Sequence, residues 1–336
     1  MKRFNDNGRR TVTPGNFMKT AITALGLLAA AGCACAQGYP SKPIRLVIPY
    51  AAGGGGDVTF RSISTILEAR LGQRFVVDNK VGASGNIGAA DVARAQPDGY
   101  TLLLGSTNNF VTNQFLFKGM GFDPLQAFVP ITMLSDAPTV FVVHPSLPVK
   151  TLPELVAHAK ANPGKLNFGS PGNATPPHLA AELFARVAGI DIVHVPFKGA
   201  GPAVQSVLAN DIQMYFTALT PVSSHLNAGK LRALAVGARS RLEALPNVPT
   251  TAEAGYPDLL TGNWWVLAAP LGIPPDIVDR LGSEVRRAFA DASVKQRFND
   301  FGMIQGGQSP QELKIWLQAE AARWKRIIET SGVKAE

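Results

Sequence analysis

Beyond residue 36 the chain has no cysteine, since Cys33 and Cys35 both lie before that point. This excludes a disulfide, a thiol nucleophile and a cysteine metal site in the rest of the chain. Histidine is scarce as well. The five, at positions 144, 158, 178, 194 and 225, show no metal-ligand spacing. No G-x-x-x-x-G-K-[ST] occurs, so a P-loop is absent, and 82-GASGNIG-88 is spaced G-x-x-G-x-x-G rather than G-x-G-x-x-G. No G-x-S-x-G elbow is present, and the carboxylates are scattered without an acid–base pair. No basic cluster interleaves with aromatics, which removes the ground for a nucleic-acid partner. Coiled-coil heptads, low-complexity tracts and solenoid repeats are missing too.

What remains is globular in composition: 336 residues, 46% hydrophobic and 17% charged, enough for one large or two medium domains. The first 36 residues stand apart. Basic residues precede the apolar run 21-AITALGLLAAAG-32, and Ala34 and Ala36 form an A-x-A pattern before Gln37. This predicts a secretory signal peptide over 1–36, cleaved after Ala36, and hence a periplasmic destination. Met18 offers an alternative start to Met1, and 30-AAGC-33 offers lipid attachment at Cys33 as an alternative fate. The leader holds five positive charges and one negative, so its removal takes the formal net charge from +8 to +4.

The mature chain alternates short β-branched runs with helical patterns. Strands are expected at 44–48, 75–79, 100–105, 139–143, 166–170, 192–196, 212–217, 231–236 and 264–269. Over 57–72, Phe60, Ile63, Leu67 and Leu71 share a helix face, and Gly72 suits the C-terminal cap. Over 175–189 the stripe is Leu179, Leu183, Phe184 and Val187, with Thr175 as N-cap, Pro176 in the first turn and Gly189 as the stop. A long helix is expected from 310 to 332, packing Leu313, Trp316, Leu317, Trp324 and Ile327. Such alternation predicts an α/β architecture with mostly parallel sheets.

Four strand ends break into small-residue loops that lead into helices: 49-PYAAGGGGD-57, 82-GASGNIG-88, 169-GSPGNATPP-177 and the tighter 196-PFKGAGP-202. Glycine admits positive φ and close approach of a ligand to backbone N–H groups. Helix N-termini add unpaired donors and partial positive charge, so these junctions suit an anion without Lys or Arg. A single glycine turn is ordinary in any α/β chain; several with polar side chains point to a site. His178, in the first turn after the third loop, either faces a ligand or caps and packs.

The stretches 39-YPSKPIRLVIPYAAGGGGD-57, 76-VVDNKVGASGNIGAADVARAQPDGYTLLLG-105, 163-PGKLNFGSPGNATPPHLAAELF-184, 193-VHVPFKGAGPAV-204, 229-GKLRALAV-236 and 246-PNVPTTAEAGYP-257 resemble, in order and spacing, the Bug (TctC-like) family. These are periplasmic solute-binding proteins, the receptors of tripartite tricarboxylate transporters. The resemblance covers residues 39–332 and implies a two-lobed, type II Venus-flytrap fold, each lobe a mostly parallel sheet flanked by helices. It implies lobes of 37–139 plus 262–336 and of 140–261, with hinge crossings at 139–143 and 264–269. It also implies capture of a small carboxylate and delivery to integral-membrane subunits. The expected state is a monomer with no cofactor, no metal and no catalytic residue.

Family roles carry over by position. Tyr50, Ala52, Gly53, Gly54, Gly55 and Asp57 lie in the loop that holds one carboxylate. Asp57 is expected to cap the helix, bonding N–H groups further along rather than the ligand. Ser84 and Asn86 fall in the neighbouring loop, and Ser106, Thr107 and Asn108 after the strand at 100–105. The other lobe supplies Ser170, Asn173 and Thr175, with His178 and Thr217 beside them. Three departures stand out. Ala174 replaces a common Gly, Pro176 a common Ser, and Thr217-Ala218 a common Asp-Asn pair. An ammonium buried without an acidic partner is costly, so the last departure argues against an amino-acid ligand. Two alternative functions share these residues: a ligand sensor docking on a signalling partner, and an exported hydrolase using the same cleft.

Overall fold

The computed structural model describes residues 38–331. The expected leader, its cleavage point and Cys33 lie outside the described residues. From Lys42 onward the chain is one compact unit built on two sheets.

The first sheet has the strand order β11-β4-β10-β3-β1-β2. Its strands are β1 (Ile44–Ile48), β2 (Phe75–Asn79), β3 (Thr101–Ser106), β4 (Phe128–Pro138), β10 (Gly262–Pro270) and β11 (Ile304–Gln305). The second has the order β7-β6-β8-β5-β9: β5 (Val140–Val143), β6 (Asn167–Ser170), β7 (Val193–Pro196), β8 (Met214–Thr217) and β9 (Arg232–Val236). Strands β1, β2 and β3 are parallel, as are β6, β7 and β8. The antiparallel members are β10 against β3 and β4, β11 against β4, and β5 against β8 and β9. Parallel neighbours align their carboxyl ends. The loops after β1, β2 and β3 therefore gather at one edge, and those after β6, β7 and β8 at another.

Two strands have no counterpart among the expected ones. In β4, Pro130, Asp136 and Pro138 obscure the pattern, since proline removes a ladder donor. The strand tolerates Pro130 because β11 pairs only with Ser135 and Asp136, leaving that flank without a partner strand. Strand β11 is two residues long, too short to carry a period.

The helices follow the expected apolar faces. Helix α1 (Gly55–Leu71) buries Phe60, Ile63, Leu67 and Leu71 and stops at Gly72 with φ 70. It begins two residues earlier than expected. The helix Pro176–Ala188 buries Leu179, Leu183 and Phe184 and ends at Gly189 with φ 61. Val187 departs from the expected stripe, being 41% exposed, and Ala180, Ala181 and Ala188 complete the buried face instead. The C-terminal helix Pro310–Ser331 buries Leu313, Leu317, Trp324 and Ile327, while Trp316 is partly covered and meets Trp264 edge-on.

The chain leaves the first sheet at Thr139 and returns through 237–261. At these crossings Thr139 N–H donates to Thr261 O (2.9 Å), Thr261 N–H to Gly237 O (3.2 Å) and Gly237 N–H to Thr139 O (2.8 Å). This is a closed ring of three backbone hydrogen bonds. A Cβ on Gly237 would fall 2.7 Å from Thr261 Oγ1, so only glycine fits there. Thr139 belongs to the expected hinge segment 139–143, whose other residues form β5, while Gly237 and Thr261 lie outside the expected segment 264–269, which is part of β10.

Candidate functional site

The loop after β1 carries Tyr50 to Gly54. The Tyr50 hydroxyl donates to Ser84 O at 3.2 Å and shares a 2.7 Å hydrogen bond with Ser106 Oγ. Its own carbonyl accepts from Asn79 Nδ2 at 2.9 Å, and its ring meets Trp265 edge-on at 5.4 Å. Burial pushes the phenol far above its ordinary pKa, so it stays a neutral donor. Tyr50 thus braces the three loops of this lobe against one another.

The four glycines have different duties. Gly53 adopts φ 77, where a side chain is strained, and space around it is open. Gly54 is the N-cap of α1 and supplies no capping side chain. Cβ atoms on Gly55 and Gly56 would lie 3.2 and 2.6 Å from the Trp265 ring. These two glycines therefore let the helix start pack flat on Trp265. Gly53 and Gly55 are exposed and Gly54 is half-buried, leaving this helix start accessible. The first N–H groups of a helix have no intrahelical acceptor.

Asp57 corrects an expectation. It is the third residue of α1, and its Oδ2 reaches backward to Gly53 N–H (3.0 Å) and sideways to Arg61 Nε (2.8 Å). It is 4% exposed. Burial works to raise its pKa, but the Arg61 and Gly53 hydrogen bonds prevail and hold it below the ordinary value. Asp57 Oδ2 is thus paired with Arg61 and with the Gly53 N–H.

The neighbouring loops form a neutral polar cluster. Asn113 Nδ2 donates to Ser84 O (3.0 Å) and Asn86 Oδ1 (2.7 Å), while Ser106 N–H donates to Asn109 Oδ1 (2.9 Å). Thr107 Oγ1 donates to Asn263 Oδ1 (3.3 Å) and accepts Trp264 N–H (3.4 Å). Asn108 Nδ2 donates to Asn113 Oδ1 (3.3 Å) and, across to the second lobe, to Ala174 O (3.2 Å). Asn108 Oδ1, Asn109 Nδ2 and Asp57 Oδ1 are buried without a hydrogen-bond partner.

On the second lobe the loop after β6 is self-bonded. Ser170 Oγ donates to Gly172 O (2.8 Å), accepts Gly172 N–H (3.2 Å) and lies 2.7 Å from His194 Nε2. Its hydroxyl is therefore fully engaged. Thr175 stands at the N-cap position, but its hydroxyl donates backward to Gly172 O at 2.7 Å and does not cap the helix, contrary to expectation. His178 is buried, accepts Ala174 N–H at Nδ1 (3.0 Å) and stacks on His194 at 3.8 Å. Burial and then the neighbouring His178 lower the His194 pKa to about 4, so it is neutral at physiological pH. Ala52 and Asn173 are exposed; Thr217 is buried at the end of β8, near the unpartnered Tyr215 hydroxyl.

The structure thus joins Tyr50, Ser84, Asn86, Ser106 and Asn108 in one network, with Thr107 bonded instead to Asn263 and the Trp264 N–H, and Ser170, Thr175 and His178 in another. The Asn108–Ala174 bond links the two. A cavity of about 430 Å³ lies elsewhere, lined by Phe110, Leu125, Phe128 and Leu271. Asp123, Gln126, Lys314 and Gln318 line it as well, but it lies away from the carboxyl ends of the parallel strands, where open α/β sheets take their ligands. Among the described residues no group of three His, Cys, Asp or Glu could hold a metal, and no helix is long and apolar enough to cross a membrane.

A family model described as the tripartite tricarboxylate transporter family receptor, TctC, matches residues 59–333. The chain belongs to this family. Among TctC-family relatives, BugT of Bordetella pertussis is 33% identical over 322 residues, covering 94% of this chain and 99% of its own. Rpa4515 of R. palustris, solved with adipate, is 34% identical with a TM-score of 0.81, covering 88% of this chain and 99% of its own. MatC of Rhodopseudomonas palustris, solved with bound malate, is 30% identical with a TM-score of 0.75, covering 86% and 100%. The two-lobed α/β fold is that of these solute-binding proteins.

Among the residues of these two networks and their supports, sequence reasoning missed Asn109, Asn113, Asn263, Trp265 and His194. Asn109 and Asn113 were visible as extra amides in 108-NNFVTN-113. Trp265 and His194 act from neighbouring strands, and no local pattern marks such a role.

Proposed function

We propose that this chain is a periplasmic receptor that captures a small organic acid lacking an amino group, a dicarboxylate or an aromatic carboxylate. It passes the acid to the integral-membrane subunits of a tripartite tricarboxylate transporter. The observation that carries this reading is electrostatic. The accessible start of α1 presents backbone donors, its only carboxylate is paired with Arg61, and the surrounding side chains are neutral amides and hydroxyls. One carboxylate of the acid would sit over the start of α1 at Gly55, at about 2.7–2.9 Å from its N–H group, because Gly53 N–H is engaged by Asp57 and Gly54 N–H by Ala51 O. Ser84, Asn86 and Ser106 to Asn108 flank it, and the other polar end faces Asn173, Thr175 and Thr217. With Thr217-Ala218 at the end of β8, no acidic residue stands there for an ammonium. The adipate and malate bound by two relatives are acids of this class. The lobes, 37–139 with 262–336 and 140–261, close about the backbone ring of Thr139, Gly237 and Thr261 in a hinge motion.

A thermal-shift screen tests the reading. Adipate, malate and related diacids are expected to raise the melting temperature of the purified chain by mass action, and aspartate and glutamate to do so less. A larger shift with the amino acids, or none with any carboxylate, would refute it.

A further inference from the structure

A buried chain of hydrogen bonds runs from the second lobe to the first. Glu182 Oε1 lies 3.4 Å from His178 Nε2. His178 Nδ1 accepts Ala174 N–H at 3.0 Å, and Ala174 O accepts from Asn108 Nδ2 at 3.2 Å. A backbone amide can only donate, so Nδ1 carries a lone pair and the ring proton sits on Nε2, toward Glu182.

Ala174 is wholly buried and has φ 57. A left-handed alanine is unfavourable, and it persists only where its surroundings impose it. The neighbouring hydroxyls of Ser170 and Thr175 are both spent on Gly172, so neither fixes Ala174. The imidazole does. Its ring is held flat against His194, at 3.8 Å and 10°, and His194 is tied in turn to Ser170.

We propose that His178 is a positioning residue for cleft closure. By accepting the Ala174 N–H it holds Ala174 in the left-handed conformation, which turns the Ala174 carbonyl toward Asn108 of the other lobe. The role in ligand retention rests on the carboxylate-receptor reading above. The part played by the histidine in the loop does not.

Two readouts on the full chain test this. Hydrogen exchange at the Ala174 amide needs no ligand. His178→Phe keeps the stacking surface and removes the acceptor, so exchange at Ala174 should accelerate roughly tenfold or more. His178→Asn, whose amide oxygen can stand at the Nδ1 position, should restore most of the protection. Adipate release reads the bond across the cleft. His178→Phe and Asn108→Ala should each speed dissociation roughly three- to tenfold, the range of one net hydrogen bond. The double variant should lose no more than the larger single loss, because both substitutions break one chain. Unchanged Ala174 exchange in His178→Phe, or additive losses in the double variant, overturns the proposal. A wild-type chain that binds neither adipate nor malate strikes the carboxylate reading instead, and the exchange comparison still decides this one.

Discussion

In the first lobe the loop after β1 is held by large rings, Tyr50 and Trp265, with glycines fitted against them. In the second lobe the loop after β6 is held by two stacked imidazoles and by hydroxyls turned onto its own backbone. The first arrangement leaves backbone donors at a helix start accessible and rests on packing, which pH does not alter. The second consumes its own donors and rests in part on His194, whose pKa burial lowers. On the proposed reading an anion finds its seat on the first lobe, while the second supplies closure.

Trp265→Ala should break the first arrangement most severely. The ring is 3% exposed, and removing a buried ring of this size costs about 3–5 kcal/mol. Thermal unfolding should show that loss, and calorimetry with adipate a matching loss of affinity. Full affinity in a folded Trp265→Ala chain would show that the ring does not brace the loop.

The second lobe should reveal its imidazoles through pH. His194 has a folded pKa of about 4 against an ordinary value of 6.5. The unfolded chain takes up that proton first, so the contribution is intact above about pH 6.5 and disappears as pH falls toward 4. It amounts to no more than about 3 kcal/mol. Asp136 works oppositely in the same window. Burial and then Glu320 raise its pKa to about 6, against the pull of Arg323, so its contribution is lost as pH rises from about 4 to 6. The informative quantity is thus the difference between wild type and His194→Phe. Denaturant melts at several pH values should show the variant losing less stability on acidification, and parallel profiles would count against a buried neutral His194.

Gly56→Ala and Gly53→Ala sharpen the account of the first lobe. A Cβ at Gly56 meets the Trp265 ring at 2.6 Å and Ile48 Cγ2 at 2.9 Å, and such overpacking costs about 1–3 kcal/mol. At Gly53 the space is open and only the positive φ is strained, for about 1–2 kcal/mol. Gly56→Ala should lower both melting temperature and affinity. A larger loss of stability at Gly53 would mean that conformation, not the fit against Trp265, selects these glycines.

The smallest effect is expected from Arg61→Gln. Without the guanidinium, burial dominates and the Asp57 pKa should rise, which carboxyl-detected NMR titration would follow. An unmoved Asp57 would mean that the Gly53 N–H alone sets its charge.

Much of this was legible in the sequence. The apolar stripe of Phe60, Ile63, Leu67 and Leu71, the stops at Gly72 and Gly189, and the glycine-rich strand ends are local patterns, and local patterns survive folding. Strand β4 was not legible, because prolines at 130 and 138 mask a strand whose neighbours come from residues 262–270 and 304–305. The direction of the Asp57 bond was not legible either. It depends on whether α1 starts at residue 55 or 57, and helix ends are set by packing, here against Trp265, as much as by the capping residue. The His178–His194 stack joins residues 16 apart through strand pairing, which no motif records.

The central claim is that the first lobe's backbone holds the acid. Amide NMR of the 15N-labelled chain, with and without saturating adipate, tests it directly. The account predicts a downfield shift and slowed exchange at the N–H group of Gly55, larger than at Asn173 or Thr175, since the Gly53 and Gly54 N–H groups are already engaged by Asp57 and Ala51. Binding of adipate with the Gly55 amide unmoved, and the largest changes on the second lobe, would contradict it.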